Sequence, residues 1–548
     1  MSSKEVYLKP NVLVEPLFNQ WYAWSWLVYP PTAAMCIANS HLKIMQSFVA
    51  NPQIHVNALK NPAMIGGPFI NYPASAVGDI RALMQRTSDR QLRMIELAEA
   101  IKSLDELLMN KADGSSLEPL YQEVPDILKG YVELTYDLNN HPSFRLIEGL
   151  MYKSPFYDTS SQSISLSLIN GDDRSFVFST PRLKEDGHIH LDIPFGDSRL
   201  DELFKTKDTP QPYSRIKEML NIRDEDDELF STFFTEQAPH KNNAYDGDGV
   251  RVRYFGHACL LIESKETSIL TDPLISYTFD GEINRYDFSD LPEKIDYALI
   301  THNHQDHCMF ETLLQLRHKI KNLIVPKNSG SLADPSLKLV LQNIGFDNVR
   351  EIDEMESIPV EGGVITGLPF FGEHADLNIR TKIAYLVELK GKSIICAADS
   401  NNIEPRLYDH IHQIIKDVDV AFLGMECAGA PLSWIYGPLL TRPIPRKLDQ
   451  SRRLNGSNYE RGIRIIDRLN PKKVYVYAMG QEPWLTHITS IKYTEESLPI
   501  VESNKLINDC KQRGLESERL LGFKEIDLSD SMECDPNHTQ ASSVTVSL

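Results

Sequence analysis

Between Ile300 and His307 the chain reads Ile-Thr-His-Asn-His-Gln-Asp-His, so His302, His304, Asp306 and His307 fall within six residues. Imidazole and carboxylate are ligands of divalent metal ions. In a loop leaving an apolar strand, this spacing presents His302 and His304 to one ion and Asp306 and His307 to a second. A polar surface loop would not be expected to gather three of the 16 His of a 548-residue chain in this pattern.

Such a loop needs rigid strands behind it. Short β-branched and aromatic runs recur in the second half: 250–255, 259–262, 268–270, 297–300, 323–325, 383–389, 393–396, 420–423 and 474–477. Helical stretches alternate with the later runs, which predicts two sheets sandwiched between helices. The first half is mixed. Met94, Leu97, Ala98, Ile101, Leu104 and Leu108 keep helical spacing and predict an amphipathic helix over about 88–110. Ser115 and Glu118 match a capping box. Ile164, Leu166 and Leu168 alternate with serines as in a strand. Asn170-Gly171 and Asp186-Gly187 then predict a meander through Phe176–Phe178 and a strand carrying Ile189, Leu191 and Ile193. The run 224–228 is acidic and is expected to be a solvated face. Residues 236–249 are rich in Pro, Asn, Gly and Asp. That shift divides the chain into an α+β domain, 1–245, and a metal domain, 246–526, with a disordered tail at 527–548.

Composition narrows the function. Lys+Arg is 56 against Asp+Glu 76, a net charge of −20, which argues against a general nucleic-acid binder. The seven cysteines have no Cys-x-x-Cys spacing, which points to reduced thiols in a cytoplasm. The start has no secretory pattern. Residues 16–41 lack any charged side chain and are crowded with aromatics, but Pro30-Pro31, Asn19, Gln20 and Asn39 interrupt them. A buried or subunit-contacting segment is expected there, not a membrane span.

The His302–His307 signature resembles that of the metallo-β-lactamase superfamily. Phe255-Gly256-His257, Thr271-Asp272-Pro273 and Ala397-Ala398-Asp399-Ser400 stand where that family has its lead-in and its bridging carboxylate. The resemblance implies an αββα sandwich with a dinuclear centre. Two departures stand out. Where the family supplies a third His to the first ion, this chain has Gly372-Glu373-His374, so Glu373 or His374 is the candidate. Where it supplies a late His, this chain has Ala478-Met479-Gly480-Gln481-Glu482-Pro483-Trp484, with His487 beyond. A set of His302, His304, Glu373, Asp306, His307 and bridging Asp399, with open positions, favours iron or manganese over zinc.

These departures, with Trp21-Tyr22-Ala23-Trp24 and Gly66-Gly67-Pro68, resemble the CmlA-type diiron β-hydroxylases of chloramphenicol biosynthesis. That resemblance implies Glu373, not His374, as ligand. It implies two oxo-bridged irons, O₂ as cosubstrate and an external electron donor. It further implies hydroxylation at the β-carbon of an amino acid tethered by phosphopantetheine to a carrier domain of a non-ribosomal peptide synthetase, and a homodimer whose N-terminal domain covers the site. Glu373, Asp399 and Glu426 are the catalytic candidates. Asp272 could orient a ligating His, Glu482 could replace the late His, and His257 could lie near the metals or cap a strand. Cys308 is expected to be packed, with Glu426-Cys427 facing the site. Phe370, Phe371, Trp434 and Tyr436 could line an apolar pocket. Arg442, Arg446, Lys447, Arg452 and Arg453 could steer an acidic carrier domain. The competing reading is a hydrolase of the same fold using a metal-bound hydroxide; a scaffold that has lost its metals is opposed by the intact ligand set.

Overall fold

Two twisted sheets of seven strands each carry the C-terminal half. In the computed structural model, which describes residues 4–240 and 244–529, the first sheet runs Val349–Ile352, Ile320–Pro326, Ile295–Leu299, Ser268–Thr271, Cys259–Glu263, Arg251–Gly256, Lys524–Asp527. The second runs Ser357–Val360, Gly363–Leu368, Ala384–Leu389, Lys392–Cys396, Val420–Gly424, Lys473–Tyr477, Glu516–Arg519. In the order given, the first sheet has three parallel pairs and then three antiparallel ones, and the second has three antiparallel pairs and then three parallel ones. Parallel pairs need a crossover, and helices such as Phe310–Leu316 and Tyr459–Leu469 supply it.

The strands' apolar residues decide the stacking. Val252, Leu260, Ile262 and Ile269 of one sheet meet Ile365, Val387, Ile394 and Phe422 of the other in a dry core. The opposite face of the second sheet buries Leu386, Ile395 and Leu423 against Ile411, Ile466 and Leu506 of three helices. The expected αββα sandwich is therefore present, with the strands where the β-branched runs predicted them.

The N-terminal part is α+β as expected, with local departures. The helix predicted over 88–110 is Leu92–Lys111, and Gln91 breaks it from a preceding helix, Val77–Arg90. The capping box does not form. The Ser115 hydroxyl donates to Asp113 at 2.5 Å, and it is the Ser116 hydroxyl that accepts from Glu118 N. Gln162–Leu168 is a strand, paired antiparallel with Val12–Phe18 and with Ile189–Leu191. Phe176–Phe178 is not a strand. Its backbone is satisfied elsewhere, Val177 N donating to His487 O and Thr180 N to Phe176 O.

The aromatic segment is buried within the chain. Trp21, Trp26 and Tyr29 are almost fully covered, and among the described residues no helix is long and apolar enough to cross a membrane. This segment shares one core with Phe310, Leu313 and Leu314 of the sandwich. Six described cysteines are free and mostly buried. Leu528 N still bonds Val250 O, so the first sheet extends into the expected tail; residues 530–548 lie outside the described residues.

Candidate metal centre

Loops leaving the strands converge at one edge of the sandwich, the usual place for a ligand in sheets with parallel strands. His257 follows Arg251–Gly256, Asp272 follows Ser268–Thr271, and the signature follows Ile295–Leu299. Glu373 follows Gly363–Leu368, Asp399 follows Lys392–Cys396, and Glu426 follows Val420–Gly424. Backbone strain collects here: His257, Asp272, Glu373, Ala398 and Ala478 all have φ between 35° and 64°. Gly424 permits the close approach beside Asp399. A Cβ there would lie 2.2 Å from Ala398 O, the carbonyl that accepts from Gly424 N.

The loops bring potential ligand atoms within 4.8 Å of one another in three overlapping groups: His302, His304 and Glu373; His302, His307 and Asp399; His257, Asp306 and His307. Glu373 Oε2 lies 3.0 Å from His304 Nδ1 and 3.9 Å from His302 Nε2. Asp399 Oδ2 lies 3.2 Å from His307 Nε2 and 4.0 Å from His302 Nε2, so it stands between the groups.

Each signature imidazole has its other nitrogen held, which fixes the nitrogen turned inward. His307 Nδ1 is 2.8 Å from Asp272 Oδ2. Asp272 also accepts Thr301 N at 2.7 Å and Thr301 Oγ1 at 2.6 Å. His302 Nδ1 is 3.0 Å from Thr301 Oγ1. His304 turns Nδ1 inward, and its Nε2 faces the Tyr436 hydroxyl at 3.4 Å. His257 differs. Its Nδ1 accepts from Gly480 N at 3.2 Å, so its Nε2 carries the proton. Nε2 lies 3.1 Å from His307 Nε2 and 3.4 Å from Asp306 Oδ2. His257 thus sets a donor against these two ligand atoms, although its position alone groups it with the ligands.

The electrostatics call for cations. His302 Nε2 and Asp399 Oδ1 are buried without a hydrogen-bond partner. Burial pushes the Glu373 carboxyl up to about 7, against the pull of His304. Burial, then the neighbouring His307 and His304, holds His302 well below the usual imidazole range. Burial would lower His307, but Asp399, Asp272 and Asp306 outweigh it and hold it well above that range. Buried imidazole nitrogens and carboxylates with inward lone pairs fit two divalent ions of the iron or manganese type.

The other candidates separate clearly. His374 stacks on His304 at 4.6 Å, with Nδ1 3.3 Å from Gly372 O and 3.2 Å from Glu373 Oε2; its Nε2 is buried without a hydrogen-bond partner but stands outside the three groups. Glu426 accepts from Tyr493 at 3.1 Å, and burial pushes it up to about 7. Cys427 is half-buried beside it. Glu482 is fully buried and takes the Tyr254 hydroxyl; it stands outside the three groups, as does buried His487. Cys308 is packed, as expected. Phe370 packs edge-on against His302, while Phe371 is partly exposed. Of the basic cluster, Arg452 donates to Ala375 O at 2.8 Å and Arg442 pairs with Asp105; Arg446 and Lys447 are exposed.

Sequence reasoning missed how the N-terminal segment touches the signature. Ser25 Oγ donates to Asn303 Oδ1 at 2.5 Å, and Tyr22 OH donates to Glu311 Oε2 at 2.8 Å. Glu311 also accepts both terminal nitrogens of Arg174, which bridges to Glu15, itself held by Arg182. The available signal was Glu311 itself, a lone acid in the buried run Phe310–Leu316.

The comparisons with known proteins agree with this architecture. Residues 7–239 match the model of the diiron non-haem β-hydroxylase N-terminal domain, and residues 251–425 match a β-lactamase superfamily domain. The chain is 38% identical over 523 residues to the 4-amino-L-phenylalanyl-[CmlP-peptidyl-carrier-protein] 3-hydroxylase of Streptomyces venezuelae, covering 94% of this chain and 98% of that protein. The crystal structure of CmlA, a diiron β-hydroxylase from Streptomyces venezuelae, superposes with a TM-score of 0.90 at 37% identity, covering 96% of this chain and 100% of that one.

Proposed function

We infer the reaction of this chain from its family: it belongs to the diiron non-haem β-hydroxylases and is an oxygenase of that class. We propose that His302, His304 and Glu373 hold one iron, that Asp306 and His307 hold the other, and that Asp399 bridges them. The single observation behind this set is the convergence of these buried ligand atoms at one sheet edge. The amino acid hydroxylated is carried as a thioester on a carrier domain of a peptide synthetase, by likeness to the Streptomyces venezuelae enzyme's named substrate. An external donor supplies the electrons, and the protein works in the cytoplasm as a homodimer.

When bound, the two irons supply the activation of O₂ that inserts oxygen at the β-carbon. The chain's residues prepare that chemistry. Asp272 and Thr301 hold the His307 and His302 rings with Nε2 inward. His257 turns Nε2 toward His307 and Asp306 and so packs these two ligands from the far side. Trp26 and Tyr436 cover the His304 side. Glu426, one strand from Asp399, is a buried carboxyl that can hold a proton near neutral pH at the rim of the site.

The test is metal content and the near-ultraviolet spectrum of protein purified without chelator, followed by mass analysis of aminoacyl carrier domains after reduction and exposure to O₂. The expected result is two irons per chain and a gain of one oxygen on the aminoacyl group. Two zincs that survive iron-supplemented expression, with no oxygen gained, would return the hydrolase reading.

A further inference from the structure

A second cavity, of about 560 Å³, opens between the N-terminal part and the loop after Val420–Gly424. It holds none of the metal-binding groups. Its walls are aromatic: Trp24 packs on Phe178 at 5.4 Å, and Phe178 and Phe176 pack on Trp434 at 5.8 and 6.1 Å. The Trp434 indole is fixed by donation to Gly66 O at 3.1 Å. Lys43 is exposed and contributes to the lining. The lining contains no carboxylate.

That composition selects an occupant. A free amino acid would bring an ammonium group with no anion to meet it. A long, uncharged, partly apolar chain ending in a phosphate suits aromatic walls with one cation. The layer behind Trp24 points the same way. Trp24 packs on Trp26 at 4.5 Å, Trp26 on Tyr436 at 5.5 Å, and the Tyr436 hydroxyl lies 3.4 Å from His304 Nε2. The cavity is thus separated from the metal centre by one aromatic layer.

The outer surface adds charge complementarity. Ser433 of the cavity wall donates to Asp449 through N at 2.8 Å and Oγ at 2.9 Å, and Leu432 N donates to Arg452 O. These bonds staple the wall to the helix Arg446–Ser451, which exposes Arg446, Lys447 and Leu448. Residues 442–453 hold five basic side chains against one acid, in a chain of net charge −20. A small acidic domain presenting a phosphate-linked arm fits that surface.

We propose that this cavity seats the phosphopantetheine arm of the carrier domain, with the phosphate at Lys43, the thiol end against the Trp26–Tyr436 layer, and the carrier itself on the Arg446–Ser451 helix. The placement rests on the reading above that the amino acid is carrier-borne. Only the aminoacyl group beyond the thiol then has to cross the aromatic layer.

Trp24 and Trp434 make the cavity its own reporter. Titration of the full chain with 4′-phosphopantetheine should change tryptophan fluorescence saturably, and pantetheine without phosphate should bind about tenfold more weakly, the worth of one charge-assisted contact. Lys43→Glu should erase the difference between the two probes. Ser40→Trp, which fills the cavity, should abolish both signals while circular dichroism and metal content stay unchanged. Arg446→Glu with Lys447→Glu should leave the small probes unaffected and weaken a carrier domain. The placement is overturned if Lys43→Glu and Ser40→Trp both bind 4′-phosphopantetheine as the parent does. Hydroxylation of a carrier-bound amino acid that these variants leave untouched would sink the placement alone. Saturable, Lys43-dependent binding with no hydroxylation of any carrier-bound amino acid would instead sink the functional reading and leave the cavity's ligand standing.

Discussion

Two buried clusters of charge sit at either end of the same short stretch of chain, and they are built on opposite rules. At the helix Phe310–Leu316, Glu311 and Glu15 are matched by Arg174 and Arg182, with oxygens and guanidinium nitrogens 2.7–3.1 Å apart. Burial works to raise Glu15, yet Arg182 and Arg174 hold it well below the usual carboxylate range. A few residues earlier, Asp306, Asp399 and Glu373 meet only imidazoles, and His302 Nε2 and Asp399 Oδ1 have no hydrogen-bond partner. The first cluster balances its charges without a ligand, leaving only Arg174 Nε unpartnered, and joins the two halves of the molecule. The second is complete only with cations. Balanced charge marks a clamp, and unbalanced charge marks a site.

The comparison breaks most sharply at Asp399. Asp399→Ala removes the carboxylate shared by two groups, so iron content and hydroxylation should both be lost. The metal-free protein should lose little of its thermal midpoint, because His307 keeps Asp272 at 2.8 Å as a carboxylate partner. A metal-free variant much less stable than the parent would mean that Asp399 is a structural ion-pair partner after all. Arg174→Ala should do the reverse. It leaves Glu311 buried without a cation, while Glu15 keeps Arg182 alone, which costs about 3–5 kcal/mol. Chemical denaturation of the two metal-free variants side by side checks both. The Arg174→Ala deficit also carries a sign in pH. Glu15 is depressed in the fold, so its contribution is present above its ordinary 4.5 and is lost as pH falls through the folded value. The gap between parent and variant should therefore narrow below pH 4.5; a constant gap would mean that Arg174 acts through packing.

Why one cluster was legible in the sequence and the other was not follows from distance along the chain. His302, His304, Asp306 and His307 are local, and the β-branched runs behind them announce the strands. Glu15, Arg174 and Glu311 are 159 and 137 residues apart in sequence, with no period to link them. The same reason hid the contact of Tyr436, named only as a candidate pocket residue, with His304, 132 residues away. Phe176–Phe178 has a strand's alternation, but its amides are claimed by distant partners such as His487 O. Spacing alone left Glu373 and His374 open. The backbone separates them: at Glu373, with φ of 64°, the chain turns the carboxylate toward His304 and leaves the next ring stacked on it.

A smaller break concerns the groups that aim the ligands. Asp272→Asn keeps the shape but puts an amide donor where two of three donors must be accepted, namely Thr301 N, Thr301 Oγ1 and His307 Nδ1. His307 then loses its fixed tautomer. Iron affinity should fall about 10–100-fold, read by competition with a chelator, with the thermal midpoint changed less than in Arg174→Ala. Parent-like affinity would demote Asp272 to an ordinary turn residue.

The finest distinction lies at Tyr436, where clamp and site meet. Its ring is held by Trp26 from the N-terminal segment and its hydroxyl faces His304 Nε2 at 3.4 Å. Tyr436→Phe keeps the ring and removes the acceptor for the His304 proton. The loss should be about 0.5–1.5 kcal/mol, the worth of one neutral hydrogen bond, seen as weaker binding of one of the two irons with no change in the other. Trp26→Leu keeps the hydroxyl but loosens its support, so it should shift the same iron in the same direction by less. If Trp26→Leu instead weakens both irons equally, the N-terminal segment acts as a general cover and not through His304. If neither variant alters metal binding, the hydroxyl is a bystander, and the two halves are joined by contacts that bypass His304, such as Ser25–Asn303 and the Arg174 clamp.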